Sequence, residues 1–115
     1  MAILQLTPDA LEVRLNRWEL LGALHDGFAV PWDHIDTARA IKDLWPHVRG
    51  WRVPGTGLPH VILLGTMRYR DGRDFTAIYK NLPGVILELH DEEFRRLLIS
   101  APNAGDVVRR VISGA

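Results

Sequence analysis

The most constraining feature of this sequence is a change in the spacing of its apolar residues near Asn103. Before that point, apolar and polar side chains alternate in several segments, most clearly in residues 11–16 and 85–90. Alternation with a period of two is typical of strands that bury one face. After it, the apolar residues follow helical spacing, and they are Ala104, Val107, Val108, Val111 and Ile112. The pattern predicts a mainly β, α+β chain of antiparallel strands, closed by one amphipathic C-terminal helix.

Weaker patterns supply the remaining elements. Residues 17–25 carry apolar side chains at helical spacing, which predicts a short helix. The other predicted strands are residues 2–6, 28–32, 61–70, 73–80 and 94–100. Residues 35–41 fit a strand or a helix, and Thr37 with the two isoleucines favours the strand. In the C-terminal helix, Asn103 is the expected N-cap and Asp106 the partner in an imperfect capping box.

The hairpin around Asp71-Gly72 has two plausible registers. A two-residue loop at Asp71-Gly72 would mix apolar and polar residues on both faces of the hairpin. A three-residue loop, residues 70–72, pairs Tyr69 with Arg73 instead. In that register one face carries Leu63, Gly65, Met67, Phe75, Ala77 and Tyr79. A slip of one residue moves every side chain of a strand to the other face, so only one register can place the apolar residues together. We therefore predict the second register.

Length and composition fit one domain that spans residues 1–115. The chain has 47% hydrophobic residues, which is enough to build a single packed core. It contains no cysteine, which excludes disulfides, thiolate metal ligands and thiol nucleophiles and fits a cytoplasmic location. The longest apolar run, residues 61–64, is far shorter than the ~20 residues that cross a bilayer. We therefore expect no transmembrane segment and no secretory leader.

The charge is balanced overall and uneven along the chain. Fourteen basic and fourteen acidic residues give a net charge of zero, which argues against a nucleic-acid partner. Residues 44–80, however, contain six basic and two acidic residues, a local excess of +4. Chance clustering on an ordinary solvated surface accounts for this excess.

Strands in meander order followed by one C-terminal helix give the chain a resemblance to a known superfold. The resembling stretches are residues 11–24, 53–59, 65–75 and 97 to the end of the terminal helix. Together they resemble the pleckstrin-homology-like (PH-like) superfold, as found in small bacterial proteins of that type. The resemblance implies a partly open antiparallel barrel of about seven strands with the helix plugging one end. It implies a fold and carries no function across.

No catalytic or cofactor motif is recognisable. The serines, Ser100 and Ser113, lie outside any nucleophile elbow. His25-Asp26, Asp33-His34 and Asp36 lie close together in the sequence but lack the spacing of a metal site. Gly55-Thr56-Gly57 has neither the lysine nor the strand–helix context of a phosphate-binding loop. We expect no catalytic residue, no metal and no cofactor.

One long connection, residues 44–60, holds the candidate ligand or partner surface. It has no acidic residue, and its prolines and glycines interrupt regular structure. The candidate residues are Trp45, His47, Arg49, Trp51, Arg52 and His60. Aromatic rings interleaved with arginines can bind a planar or anionic partner. The alternative is that the tryptophans fold onto the sheet as a hydrophobic lid.

These observations predict a non-enzymatic binding or protein-interaction module, whose partner is a protein or a small anionic or aromatic ligand. One alternative is a small-molecule-binding protein or an enzyme that uses a pocket under residues 44–60, with His47 or His60 as acid or base. Another is a structural subunit that forms a homo-oligomer through an exposed strand edge.

Overall fold

The computed structural model describes residues 1–23, 27–52, 56–58 and 61–114, which contain ten strands and two α-helices. The first three strands form a small antiparallel sheet in chain order. They are β1 (Ile3–Leu6), β2 (Ala10–Arg14) and β3 (Phe28–Pro31), and helix α1 (Arg17–Ala23) follows β2. Within the described residues β3 pairs with β2 alone, so the proline that ends it lies on an edge strand, where proline is tolerated.

The other seven strands form a larger sheet, and helix α2 (Ala104–Gly114) follows the last of them. They are β4 (Ile35–Ile41), β5 (Trp51–Arg52), β6 (Thr56–Leu58), β7 (Ile62–Tyr69), β8 (Gly72–Tyr79), β9 (Gly84–Leu89) and β10 (Arg96–Ser100). Their order is β4-β9-β10-β8-β7-β5, and β6 pairs with β7 as well. The strands predicted around residues 11–16, 28–32, 35–41, 85–90 and 94–100 correspond to β2, β3, β4, β9 and β10.

The larger sheet is mixed. Strand β10 lies between β8 and β9, antiparallel to β9 and parallel to β8, with Leu97 beside Phe75 and Leu87. The prediction of an entirely antiparallel arrangement is therefore wrong at this pair. The sequence carries a sign of it, because Leu97, Leu98 and Ile99 form a continuous apolar run. Such a run is typical of a central strand that is buried on both faces, and all five residues of β10 are buried.

The described strands lie in two separate sheets, and no pairing among these residues connects the sheets or closes the larger one. The predicted mainly β architecture with one C-terminal helix is thus confirmed. A barrel of about seven strands is not what the strand pairings describe. No helix in the described part of the chain is long and apolar enough to cross a membrane.

The central hairpin has a register that differs from the prediction. Tyr69 pairs with Gly72, and Arg68 pairs with Arg73, so the loop is the two residues Arg70 and Asp71. The predicted pairing of Tyr69 with Arg73 is wrong by one residue. As a result, Leu63, Gly65 and Met67 share one face, while Phe75, Ala77 and Tyr79 lie on the other. The expectation of a single apolar face failed because both faces of this hairpin are covered.

Each face of the larger sheet has its own apolar core. One face packs against the small sheet and α2, with Phe28, Phe75 and Phe94 in mutual ring contact at centroid distances of 5.2–5.4 Å. The opposite face carries a smaller cluster that residues 41–48 cover. Its buried members are Leu44, Leu63, Met67, Ile78, Ile86 and Leu98. This second core is why the hairpin strands are apolar on both sides.

Most of the predicted apolar stripe of the terminal helix is buried against the core. Ala104, Val107 and Val111 are buried and Val108 is half-buried, whereas Ile112 is 70% exposed and faces away from the core. The predicted start of the helix is confirmed, since α2 begins directly after Asn103. Asp106 does not complete a capping box, because its carboxylate contacts Arg109.

The reciprocal capping box of this chain is in α1 instead. The Asn16 amide donates to Glu19 Oε1 and the Glu19 amide donates to Asn16 Oδ1, each at 2.9 Å. Glu19 is almost fully buried and also accepts a short hydrogen bond from the Tyr79 hydroxyl. Burial, together with this bond to a carboxylate, raises the pKa of Tyr79. The contact ties α1 to the larger sheet.

Candidate functional site

The predicted surface of residues 44–60 divides into parts that have different surroundings. Its first part is a lid. Leu44 is fully buried, and Trp45 and Val48 pack beside it on the second core. The Trp45 indole donates a hydrogen bond to the Lys80 carbonyl at 2.6 Å. A side chain at Gly84 would come within 2.4 Å of Leu44, so the lid closes onto a strand that has room for glycine only.

The second part of the segment leads into a charged cluster. The His47 carbonyl accepts a hydrogen bond of 2.7 Å from the Arg96 guanidinium. Arg49 stacks on the Tyr69 ring, with its guanidinium carbon 4.2 Å from the ring centroid. Gly50 then turns the chain with a φ of +85°, and a Cβ at this position would lie 2.3 Å from the Arg68 carbonyl oxygen. The turn sends the next residues to the edge of the sheet.

The remaining predicted residues do not join that cluster. Trp51 lies in β5, is 77% exposed and pairs with Arg68 of β7. Directly opposed residues of an antiparallel pair share a face, so Trp51 lies on the face of the sheet opposite to Tyr69. Arg52 pairs with Met67 through its backbone, and its side chain lies outside the described residues. His60 lies outside them entirely.

Asp74 is the centre of the charged cluster. Its carboxylate is 1% exposed, and its Oδ2 accepts bonds from Arg96 Nε at 2.9 Å and Arg96 Nη2 at 2.8 Å. Arg49 Nε lies 3.1 Å from the same oxygen. The Tyr69 hydroxyl donates to Asp74 Oδ1 at 2.7 Å and accepts from Arg49 Nη2 at 2.7 Å. Two guanidinium groups thus share one buried carboxylate.

The electrostatics of the cluster favour a fixed arrangement. Burial and the hydrogen bond to Asp74 raise the pKa of Tyr69, so the phenol stays protonated and keeps donating to the carboxylate. Arg96 is itself buried, whereas about half of the Arg49 side chain remains exposed. The cluster therefore presents Arg49 and Tyr69 outwards on a rigid buried base.

An open cleft of about 610 Å³ lies over this cluster, at the end of the larger sheet. Arg70 and Arg95 line it together with Arg49 and Arg96. Arg95 Nη1 donates to the Asp71 carbonyl oxygen at 2.7 Å, which fixes its guanidinium at the hairpin loop. No carboxylate among the described residues lies within ion-pair distance of Arg70 or Arg95, so both retain charge for another partner.

The opposite wall of the cleft is acidic. Asp36 and Glu88 line it, and Glu88 Oε2 accepts a hydrogen bond from the Thr37 hydroxyl at 2.7 Å. Beside this wall two histidine rings lie 5.3 Å apart, His34 and His90. Each Nδ1 is 2.6 Å from a carboxylate oxygen, that of Glu92 for His34 and that of Asp36 for His90. The hydrogen bond to Glu92 raises the pKa of His34.

The described residues contain no group of three or more histidine, aspartate or glutamate side chains arranged to hold a metal ion. Asp36 and His34 belong to the paired cluster at the rim of the cleft, and His25 and Asp26 lie outside the described residues. Tyr69, Asp74, Arg95 and Arg96 were not among the predicted site residues. For Tyr69 and Asp74 the available signal was the basic excess of residues 44–80, together with an acidic residue, Asp74, inside an apolar strand.

Comparison of the chain with protein-family models, with curated proteins and with solved structures yields no match. The candidate site therefore rests on its own geometry.

Proposed function

We propose that this chain is a binding module that recognises an anionic group of its ligand or partner in the cleft at the end of the larger sheet. The observation that carries the proposal is the pair Arg70 and Arg95, which line the cleft without a carboxylate of their own among the described residues. Guanidinium groups with free donors are well suited to bind carboxylate, sulfate or phosphate oxygens.

The buried cluster supports this role by fixing the floor of the cleft. Arg96 is held by Asp74 and by the His47 carbonyl, and Arg49 is held by Asp74 and stacked on Tyr69. Groups that are held in place before binding lose little side-chain entropy when a ligand arrives. Three acidic residues, Asp36, Asp71 and Glu88, also line the cleft, so an anion can bind only where the guanidinium groups outweigh them.

Titration with sulfate tests the proposal, with chloride added to hold the ionic strength constant. Amide chemical shifts of residues 70–72 and 95 report binding in the cleft. We expect Arg70→Gln combined with Arg95→Gln to weaken sulfate binding about tenfold, the scale of two exposed charge interactions. The matched control is Arg110→Gln, which removes an exposed arginine from α2. Equal binding by the double variant and the control would show that the cleft is not the anion site.

A second candidate function is a homo-oligomer that forms through an exposed strand edge. Its support is the exposed Leu58 of β6, which pairs with β7, together with the exposed Val61 directly before β7. Strand edges with exposed apolar side chains are a common route to pairing between chains. Light scattering over a concentration series tests it: Leu58→Glu should leave a monomer where the parent chain associates, and a monomer at every concentration of the parent chain rules it out.

Three further expectations concern the superfold, the cellular location and a pocket under residues 44–60. The β-rich chain with one C-terminal helix supports the PH-like superfold, while the parallel β8–β10 pair does not fit a purely antiparallel barrel. The lack of cysteine supports a cytoplasmic location. For an enzyme or carrier using a pocket under residues 44–60, the geometry offers little support, because the cleft lies beside Arg49 and not beneath the buried Leu44 lid.

A further inference from the structure

A row of three side chains crosses the larger sheet on the face opposite to the cleft floor. Trp51 of β5 pairs directly with Arg68 of β7, and Arg68 pairs directly with Arg73 of β8. Direct cross-strand partners lie on one face and are separated by about 5 Å. The row therefore presents one indole and two guanidinium groups across about 10 Å of sheet surface.

The side chains of this row contribute little to the apolar core. Like charges directly opposite each other in an antiparallel pair are destabilising, and Arg68 and Arg73 are such a pair. Trp51 is 77% exposed on a two-residue edge strand, so its ring contributes little to the core. Arg68 is exposed and has no carboxylate within ion-pair distance among the described residues. Trp51 and Arg68 are therefore accessible to a ligand at the surface.

We infer that this row binds a small ligand that combines a planar ring with phosphate groups, namely a nucleoside diphosphate. The ring stacks on the indole of Trp51, and the phosphates contact the guanidinium groups of Arg68 and Arg73. In such a ligand one sugar separates the ring from the first phosphate, a spacing comparable to that between neighbouring strands. Aromatic stacking and bidentate arginine contacts are the usual means of holding these two parts.

The end of the row favours a short ligand over a long polyanion. Glu93 Oε2 lies 3.5 Å from Arg73 Nη1, so a carboxylate closes the row beyond the second arginine. A phosphate chain that continued past Arg73 would meet this negative charge. A diphosphate can displace or share the exposed Glu93 contact, whereas a single-stranded nucleic acid would have to pass it. This site is separate from the cleft that binds the anion in the proposed function, and it does not depend on that proposal.

Calorimetric titration with ADP tests the inference. We expect Trp51→Ala to weaken ADP binding about tenfold or more, from the loss of one stacked base, and Trp51→Phe to retain most of the affinity. Arg68→Gln should weaken ADP roughly fivefold and leave adenosine unaffected. The matched control is Trp18→Ala, which removes an equally exposed indole (76%) from α1. Thermal unfolding of each variant establishes that it is folded.

Further titrations show which parts of ADP are bound and at which site. Adenosine and pyrophosphate should each bind at least about tenfold more weakly than ADP, because each engages only part of the row. Absence of ADP binding, or equal losses for Trp51→Ala and Trp18→Ala, would overturn the inference. A single-stranded oligonucleotide that binds more tightly than ADP would overturn the assignment to a short ligand, and retained ADP binding by Arg70→Gln with Arg95→Gln would separate this site from the cleft.

Discussion

Arg96 places two nitrogens, Nε and Nη2, at 2.9 and 2.8 Å from a single oxygen of Asp74, and both residues are buried. They occupy adjacent positions on the parallel strands β8 and β10. The ion pair therefore lies at the parallel junction, where β10 enters between β8 and β9. It connects the cleft floor to the most central strand of the sheet.

Removing the charge of Asp74 is expected to destabilise the protein severely. Asp74→Asn leaves the buried Arg96 guanidinium without its anion, and breaking a buried pair in this way costs about 3–5 kcal/mol. Urea unfolding followed by circular dichroism measures the change. Asp71→Asn is the control, because Asp71 is exposed in the hairpin loop and is expected to change stability by less than about 0.5 kcal/mol. Similar effects of the two substitutions would contradict a structural role for the cluster.

Alanine substitutions at two glycines should have opposite effects. At Gly50 the backbone has a φ of +85°, and a new Cβ would lie 2.3 Å from a carbonyl oxygen, so Gly50→Ala should destabilise by about 2 kcal/mol or more. At Gly105, in the first turn of α2, a Cβ meets nothing within 4 Å. Gly105→Ala should stabilise by up to ~1 kcal/mol through helix propensity. Midpoints of thermal unfolding compare the pair, and a destabilising Gly105→Ala would argue against the docked geometry of α2.

The elements that obeyed a single period were predictable from the sequence. β2 alternates between buried and more exposed residues, and α2 follows a helical stripe, because each has only one face toward a core. The central strands were not predictable in the same way. β7, β8 and β10 carry apolar residues on both sides, so neither the hairpin register nor the parallel pairing follows from alternation.

The candidate site could be predicted only in part, for a related reason. Local composition identified Arg49 and Trp51, because the basic and aromatic excess of residues 44–60 is visible in the sequence. It did not show that Gly50 turns the chain so that these two residues lie on opposite faces of the sheet. Arg96 joins the site across 47 residues of chain from Arg49 through strand order alone, and no local pattern encodes that contact.

A substitution in the lid over the second core tests whether residues 44–48 have a structural role. Leu44 is fully buried against the sheet, so Leu44→Ala should leave a cavity and cost about 2–4 kcal/mol. Ile112→Ala removes an exposed apolar side chain and should change stability by less than about 0.5 kcal/mol. Chemical unfolding of both variants measures the difference. A small effect of Leu44→Ala would mean that residues 44–48 are not a structural lid.

The His34–Glu92 pair predicts how stability depends on pH. The hydrogen bond to Glu92 raises the pKa of His34 above its usual value of 6.5, and the charges of Asp33, Glu92 and Asp91 add to the effect. Because the folded state binds this proton more tightly than the unfolded state, the contribution is fully present below pH 6.5. It is lost as the pH rises through the higher folded-state pKa. The difference in unfolding free energy between the parent chain and His34→Gln should therefore be largest near about pH 5.5 and smallest near about pH 8.5. His47→Gln is the control, because the His47 side chain makes no hydrogen bond to the described residues. A difference for His34→Gln that stays constant with pH would show that the imidazole and Glu92 do not interact in the folded protein.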